Sequence, residues 1–155
     1  MIEVAIAGAA GRMGRTLVEA VETSGASIKV GAASVLADDP TVGSDIGLLA
    51  LGRPLGVVAE PSLESQVDAF GVLIDFTSPE ATLGYLALCC RYDKAMVIGT
   101  TGFKPENLAA IDAAAPKRHQ EVTHELRRYG EARGHVASPD CIAPWQHGVK
   151  SLPHR

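Results

Sequence analysis

No apolar run in this 155-residue chain approaches the roughly 18 residues a helix needs to cross a bilayer. A membrane-spanning protein is therefore not expected. The first residues lack the basic stretch and small-residue cleavage site of a secretory signal, and Met1 leads directly into an apolar segment, so the expected compartment is the cytoplasm. Cysteine is scarce. Cys89 and Cys90 are adjacent and Cys141 stands alone, which excludes a disulfide framework and a CxxC spacing. All three are expected to be buried, reduced thiols. There is no internal repeat. HQEVTH, residues 119–124, has the wrong order and spacing for HExxH, and no metal site is expected. ELRRYGEAR, residues 125–133, mixes acids among its basic residues around a single aromatic, Tyr129. It reads as a solvated face, and no nucleic-acid partner is expected.

What is present is an apolar chain, 46% hydrophobic, long enough for one domain with a core. Ile2 to Ala7 reads as a short buried strand ended by Gly8. From Arg12 the period changes: Met13, Leu17 and Val21 recur every four residues, and Gly25 closes the helix. Ile28 to Ala33 is a second strand, and residues 34–56 read as a long loop. Val57 to Ala59 forms a short strand and Ser62 to Asp68 one or two helical turns. Val72 to Phe76 is a further buried strand. Thr77 or Ser78 caps the next helix, with Pro79 in its first turn, where a missing N–H costs nothing. That helix runs to about Tyr92, Ala95 to Ile98 is the next strand, and Pro105 to Ala115 is helical. This alternation predicts an α/β, Rossmann-like fold with a doubly wound parallel sheet.

At residue 116 the composition changes. Residues 116–155 hold seven basic and four acidic residues, all five histidines and only six branched aliphatics, whereas the preceding part is net −7. The expected organisation is a dinucleotide-binding domain over 1–115 and an atypical basic tail over 116–155. The tail is expected to be poorly ordered or the product of a shifted reading frame, with no strand of the kind that should follow the last helix in this architecture.

Gly8, Gly11 and Gly14 form a GxxGxxG variant of the dinucleotide loop between the first strand and helix. Gly8 allows the tight turn, Gly11 lets a pyrophosphate approach the backbone, and Gly14 lets the helix pack against the strand. The helix N-terminus favours an anion, and Arg12 adds a positive charge beside it. The acid that normally reads the adenosine ribose is missing. Ser34, Val35 and Leu36 occupy its place, and Asp38 and Asp39 come late, so NADPH and NADH both stay open. A second loop, Gly99-Thr100-Thr101-Gly102, follows a strand at the same sheet edge.

Together, VAIAGAAGRMGR, GSDIG, VLIDFTSPEATL and KAMVIGTTGF resemble the 4-hydroxy-tetrahydrodipicolinate reductase (dihydrodipicolinate reductase) family over residues 1 to about 115, its N-terminal cofactor domain. The resemblance implies a cytoplasmic, homotetrameric oxidoreductase of the diaminopimelate route to lysine that reduces its small-molecule substrate with NADH or NADPH. It implies that Gly8, Ala9, Ala10, Gly11, Arg12 and Met13 line the pyrophosphate. Gly99, Thr100 and Thr101 would approach the nicotinamide and its ribose. The family's later Asn-Met/Phe-Ser loop and His-His-x-x-x-Lys segment do not occur in this sequence. No catalytic residue is therefore assigned, and the chain as written is expected to be inactive. The alternative is a non-catalytic nicotinamide-dinucleotide-binding module.

Overall fold

The computed structural model describes residues 1–25 and 27–114, together with the backbone of His135–Ala137. Five strands run parallel in the order β3-β2-β1-β4-β5: β1 (Ile2–Ala7), β2 (Ile28–Ser34), β3 (Ala59–Glu60), β4 (Val72–Asp75) and β5 (Ala95–Ile98). The helices are α1 (Arg12–Thr23), α2 (Ile46–Leu51), α3 (Pro79–Arg91) and α4 (Pro105–Ala114), with a 3₁₀ segment at Glu64–Ala69.

Period-two side-chain alternation builds the two layers. From β1, Val4 and Ile6 pack with Val18, Val21 and Ile46 of α1 and α2. Ala5 and Ala7 pack with Leu86, Cys89 and Ile111 of α3 and α4. Both faces of the sheet are thus covered, the doubly wound arrangement expected for buried parallel strands.

The sequence reading of 34–56 as loop throughout is corrected by α2. The helix has only six residues, too few for a helical period to show against neighbouring glycines. Its organiser is the aspartate of the GSDIG segment. Asp45 accepts the Gly47 N–H at 2.7 Å as N-cap, the Leu55 N–H at 3.0 Å and the Gly56 N–H at 2.7 Å. These backbone donors, Leu55 foremost, hold its carboxyl below the usual carboxylate range. A depressed folded value stabilises the fold above the ordinary aspartate range, and that stabilisation disappears as the pH falls through the folded value. With the N-cap hydrogen bond lost and solvent screening the partly exposed charge, Asp45→Ala should lower stability by about 1 kcal/mol at neutral pH. In urea titrations the difference from the parent should shrink below about pH 3–4; a constant difference would place the effect elsewhere.

The tail contributes one short strand that the sequence reading did not single out. His135–Ala137 forms β6, antiparallel to β5, with Val97 opposite Val136. Three residues are too short to show alternation, and the pairing groups of the β5 edge are what select them. The proposed disorder or frame shift over 116–155 otherwise lies outside the described residues. The cysteine expectation holds for Cys89, buried in α3. Cys90 is exposed, because successive helical residues point about 100° apart. Cys141 lies outside the described residues.

In α3, Gly84 has helical backbone, and a methyl added there would meet nothing within 4 Å. Gly84→Ala should stabilise the protein by about 0.5–1 kcal/mol, read as a rise in the urea midpoint, because only the glycine entropy penalty changes.

Candidate dinucleotide-binding site

β1 lies between β2 and β4, and the segments leaving β1 and β4 go to opposite faces of the sheet. This opens the crevice at the carboxyl edge where doubly wound sheets bind ligands. Gly8 turns the chain off β1 at φ +68°, a conformation costly for other residues, and the Gly11 N–H closes the turn onto the Gly8 carbonyl at 3.0 Å. Across the crevice a Cβ on Gly8 would stand 3.1 Å from Thr77 Cγ2, so the loops after β1 and β4 touch. The Ala9 N–H donates to the Ser34 carbonyl at 2.9 Å, tying the loop to β2.

Gly11 is the N-cap of α1 and has no side chain to cap it, and the first helical turn carries no acid. The orphan N–H groups of that turn therefore face an open edge suited to an anion. Arg15 Nε donates to the Ala10 carbonyl at 2.8 Å, occupying an oxygen that would otherwise repel a phosphate. Arg12 and Met13 are exposed at the mouth. The open helix terminus and the bare backbone at Gly11 fit a dinucleotide pyrophosphate.

At the end of β2, Ser34 is buried and its hydroxyl lies 2.8 Å from the Tyr85 hydroxyl. Burial pushes the Tyr85 phenol up. Val35 is buried, whereas Leu36 is 72% exposed. Asp39 spends Oδ1 on the Thr41 N–H at 2.8 Å and hydroxyl at 2.5 Å, and that hydroxyl first of all lowers its carboxyl's pKa. Asp39 is thus a turn residue, and the β2 end offers no free carboxylate among Ser34, Val35 and Leu36.

At the other end of the crevice, Gly99 lies against Phe76: a Cβ there would stand 2.2 Å from the ring. Thr101 is exposed, but Thr100 is buried with its hydroxyl turned inward. There it meets Asp75, a residue the sequence reading did not single out. The available signal was an acid ending an otherwise apolar strand, with threonines two and seven positions later. Asp75 is fully buried. Its Oδ1 accepts the Thr77 N–H at 3.0 Å and the Thr77 hydroxyl at 2.5 Å. Its Oδ2 accepts the Thr82 hydroxyl at 2.5 Å and the Thr100 hydroxyl at 3.3 Å.

Among the described residues no cluster of His, Cys, Asp and Glu is arranged to hold a metal, and no helix is long and apolar enough to cross a membrane. Burial pushes the Cys89 thiol up to about 12, which leaves it a packing residue rather than a nucleophile.

The family model for the dihydrodipicolinate reductase N-terminus matches residues 2–124. The chain belongs to that family. A dipicolinate-bound dihydrodipicolinate reductase from Paenisporosarcina sp. TG-14 superposes with a TM-score of 0.57 at 26% identity, over 80% of this chain and 50% of that one. The fold is shared with an aspartate semialdehyde dehydrogenase from Candida albicans, solved with NADP, at a TM-score of 0.51 and 12% identity, over 97% of this chain and 47% of that one. The chain thus spans about half the length of these structures. The matched region of the dihydrodipicolinate reductase family contains both the glycine loop and the Gly99–Gly102 loop.

Proposed function

We propose that this chain is the cofactor-binding part of a cytoplasmic, NAD(P)H-dependent reductase that converts 4-hydroxy-tetrahydrodipicolinate to tetrahydrodipicolinate on the route to diaminopimelate and lysine. The observation that carries this reading is the uncapped N-terminus of α1 behind the Gly8–Gly11 turn, at the switch point of a sheet belonging to this family. Bound NADH or NADPH supplies the hydride. The chain's own residues hold the cofactor. The backbone of Gly8, Ala9, Ala10 and Gly11 and the first turn at Arg12 and Met13 bind the pyrophosphate, and Gly99 and Thr101 border the nicotinamide end. A second reading rests on the half-length match to the solved reductase: the polypeptide alone is a binding module, with the acceptor held by groups outside residues 1–115.

Titrating the full chain with NADPH and with NADH, followed by nicotinamide fluorescence and calorimetry, tests the reading. Saturable binding of at least one is expected. Failure of both at about 1 mM, an affinity of only ~4 kcal/mol, would overturn it. Gly11→Ala provides the control. Its new methyl would meet Gly8 O at 3.2 Å, a contact that small shifts relieve, yet it stands where the pyrophosphate approaches. Losing one hydrogen bond to a charged phosphate should weaken binding about tenfold or more.

A further inference from the structure

The buried group around Asp75 does more than fill the core. Its members come from the end of β4 (Asp75), the loop after it (Thr77), the first turn of α3 (Thr82) and the loop after β5 (Thr100). Three threonine hydroxyls and one backbone N–H saturate both carboxylate oxygens. The Thr77 N–H also reaches Thr100 Oγ1 at 3.0 Å, joining the two loops directly. Thr82 Oγ1 lies 3.0 Å from Thr100 Oγ1, so the α3 hydroxyl touches both the carboxylate and the β5 loop. Asp75, Thr82 and Thr100 are at most 2% exposed, which leaves them no direct access to a ligand. The loops they join carry Phe76 on one side and Gly99 and Thr101 on the other, and Phe76 packs on Gly99.

We propose that Asp75, Thr77, Thr82 and Thr100 form a positioning network that sets the spacing of the β4 and β5 loops for the nicotinamide half of the cofactor, with Asp75 as its hub and Thr82 linking that carboxylate to Thr100. In this arrangement the Thr100 hydroxyl acts through the network, and the exposed Thr101 is the threonine left to face a ligand. A saturated carboxylate holds its four donors in one geometry, because moving any of them leaves a buried oxygen short of a partner. The nicotinamide half then meets loops already in place, whereas the adenosine half lies on the β2 side of the β1 loop, which the network meets only where Thr77 approaches Gly8.

The inference rests on the dinucleotide reading above, and calorimetry on the full chain separates the two. Each variant is titrated with the nicotinamide dinucleotide that binds the parent more tightly and with ADP, which lacks nicotinamide and its ribose. Thr82→Val keeps shape but removes the hydroxyl. It should weaken the dinucleotide about tenfold and leave ADP within about twofold, while Thr82→Ser should restore parent affinity. Equal weakening of both ligands, or none, overturns the positioning role. Binding of neither ligand by the parent overturns the dinucleotide reading and the inference with it. Should Thr82→Val fail to fold, Thr77→Val, at a partly exposed position, carries the same pair of titrations with the same expected and overturning results.

Discussion

Gly14→Ala should be the most destabilising single change in the glycine loop. Helix propensity alone points the other way, since alanine is favoured over glycine by about 1 kcal/mol inside a helix. Packing decides. A Cβ on Gly14 would lie 2.2 Å from the Gly8 carbonyl oxygen, 2.6 Å from Ala9 Cα and 2.8 Å from Ala9 carbonyl carbon. All three are backbone atoms, so no side chain rotates to relieve the contact. Restoring an ordinary separation of about 3.5 Å requires α1 to move off the β1 loop by more than an ångström. That movement draws Val18 and Val21 out of their packing against Val4 and Ile6. The combined cost is about 3–5 kcal/mol, against a typical total stability of roughly 5–15 kcal/mol. Urea unfolding followed by circular dichroism should show the Gly14→Ala midpoint lowered by a loss of about 3–5 kcal/mol, with Gly11→Ala within about 1 kcal/mol of the parent. Gly14→Ala as stable as the parent would show that α1 does not need to pack this closely. The three glycines of one motif thus separate into a turn at Gly8, a helix contact at Gly14 and, in the proposed reading, a ligand approach at Gly11.

How much of this was legible depended on element length and on where hydrogen-bond partners lie. The strands Ile2–Ala7 and Ala95–Ile98 coincide with their apolar runs, and the start of α1 at Arg12 with the change of period. Such signals are carried by four or more consecutive residues. Ser78 at the N-cap with Pro79 next is equally local, and the Ser78 hydroxyl does accept the Ala81 N–H. The six-residue α2 and three-residue β6 offer too few residues for a period, and are stabilised by partners far along the chain: Leu55 and Gly56 for Asp45, β5 for β6. The candidate site divides the same way. The glycine loop is a contiguous motif with a fixed spacing. The inward turn of Thr100 follows from Asp75 and Thr82, respectively 25 and 18 residues earlier, and periodicity carries no information about a contact across two βα units.

The 155-residue polypeptide, saturated with its preferred nicotinamide dinucleotide, should show no measurable reduction of 4-hydroxy-tetrahydrodipicolinate. Hydride transfer requires the acceptor carbon held about 3–3.5 Å from the donor, and fixing two reactants in that geometry is worth an effective concentration of roughly 10⁵–10⁸ M. It also requires a donor or cation where negative charge develops on the acceptor. In the proposed reading the described residues at the carboxyl edge supply only the cofactor's side of this arrangement. The hydroxyls of Thr77, Thr82 and Thr100 are committed to Asp75, and the His-His-x-x-x-Lys segment implied by the family resemblance is not among the 155 residues. With neither positioning nor charge stabilisation supplied on the acceptor side by the described residues, the rate per site should fall at least about 10⁴-fold below an ordinary turnover of roughly 10 s⁻¹. The measurement is the loss of nicotinamide absorbance under substrate saturation, run beside the calorimetric titration on the same preparation. Binding without turnover would assign this polypeptide the donor half of the reaction. Turnover near 10 s⁻¹ would mean that residues 115–155, or a second copy of the chain, complete the acceptor site, and a dilution series would distinguish them, since only the second route loses rate per site as the concentration falls.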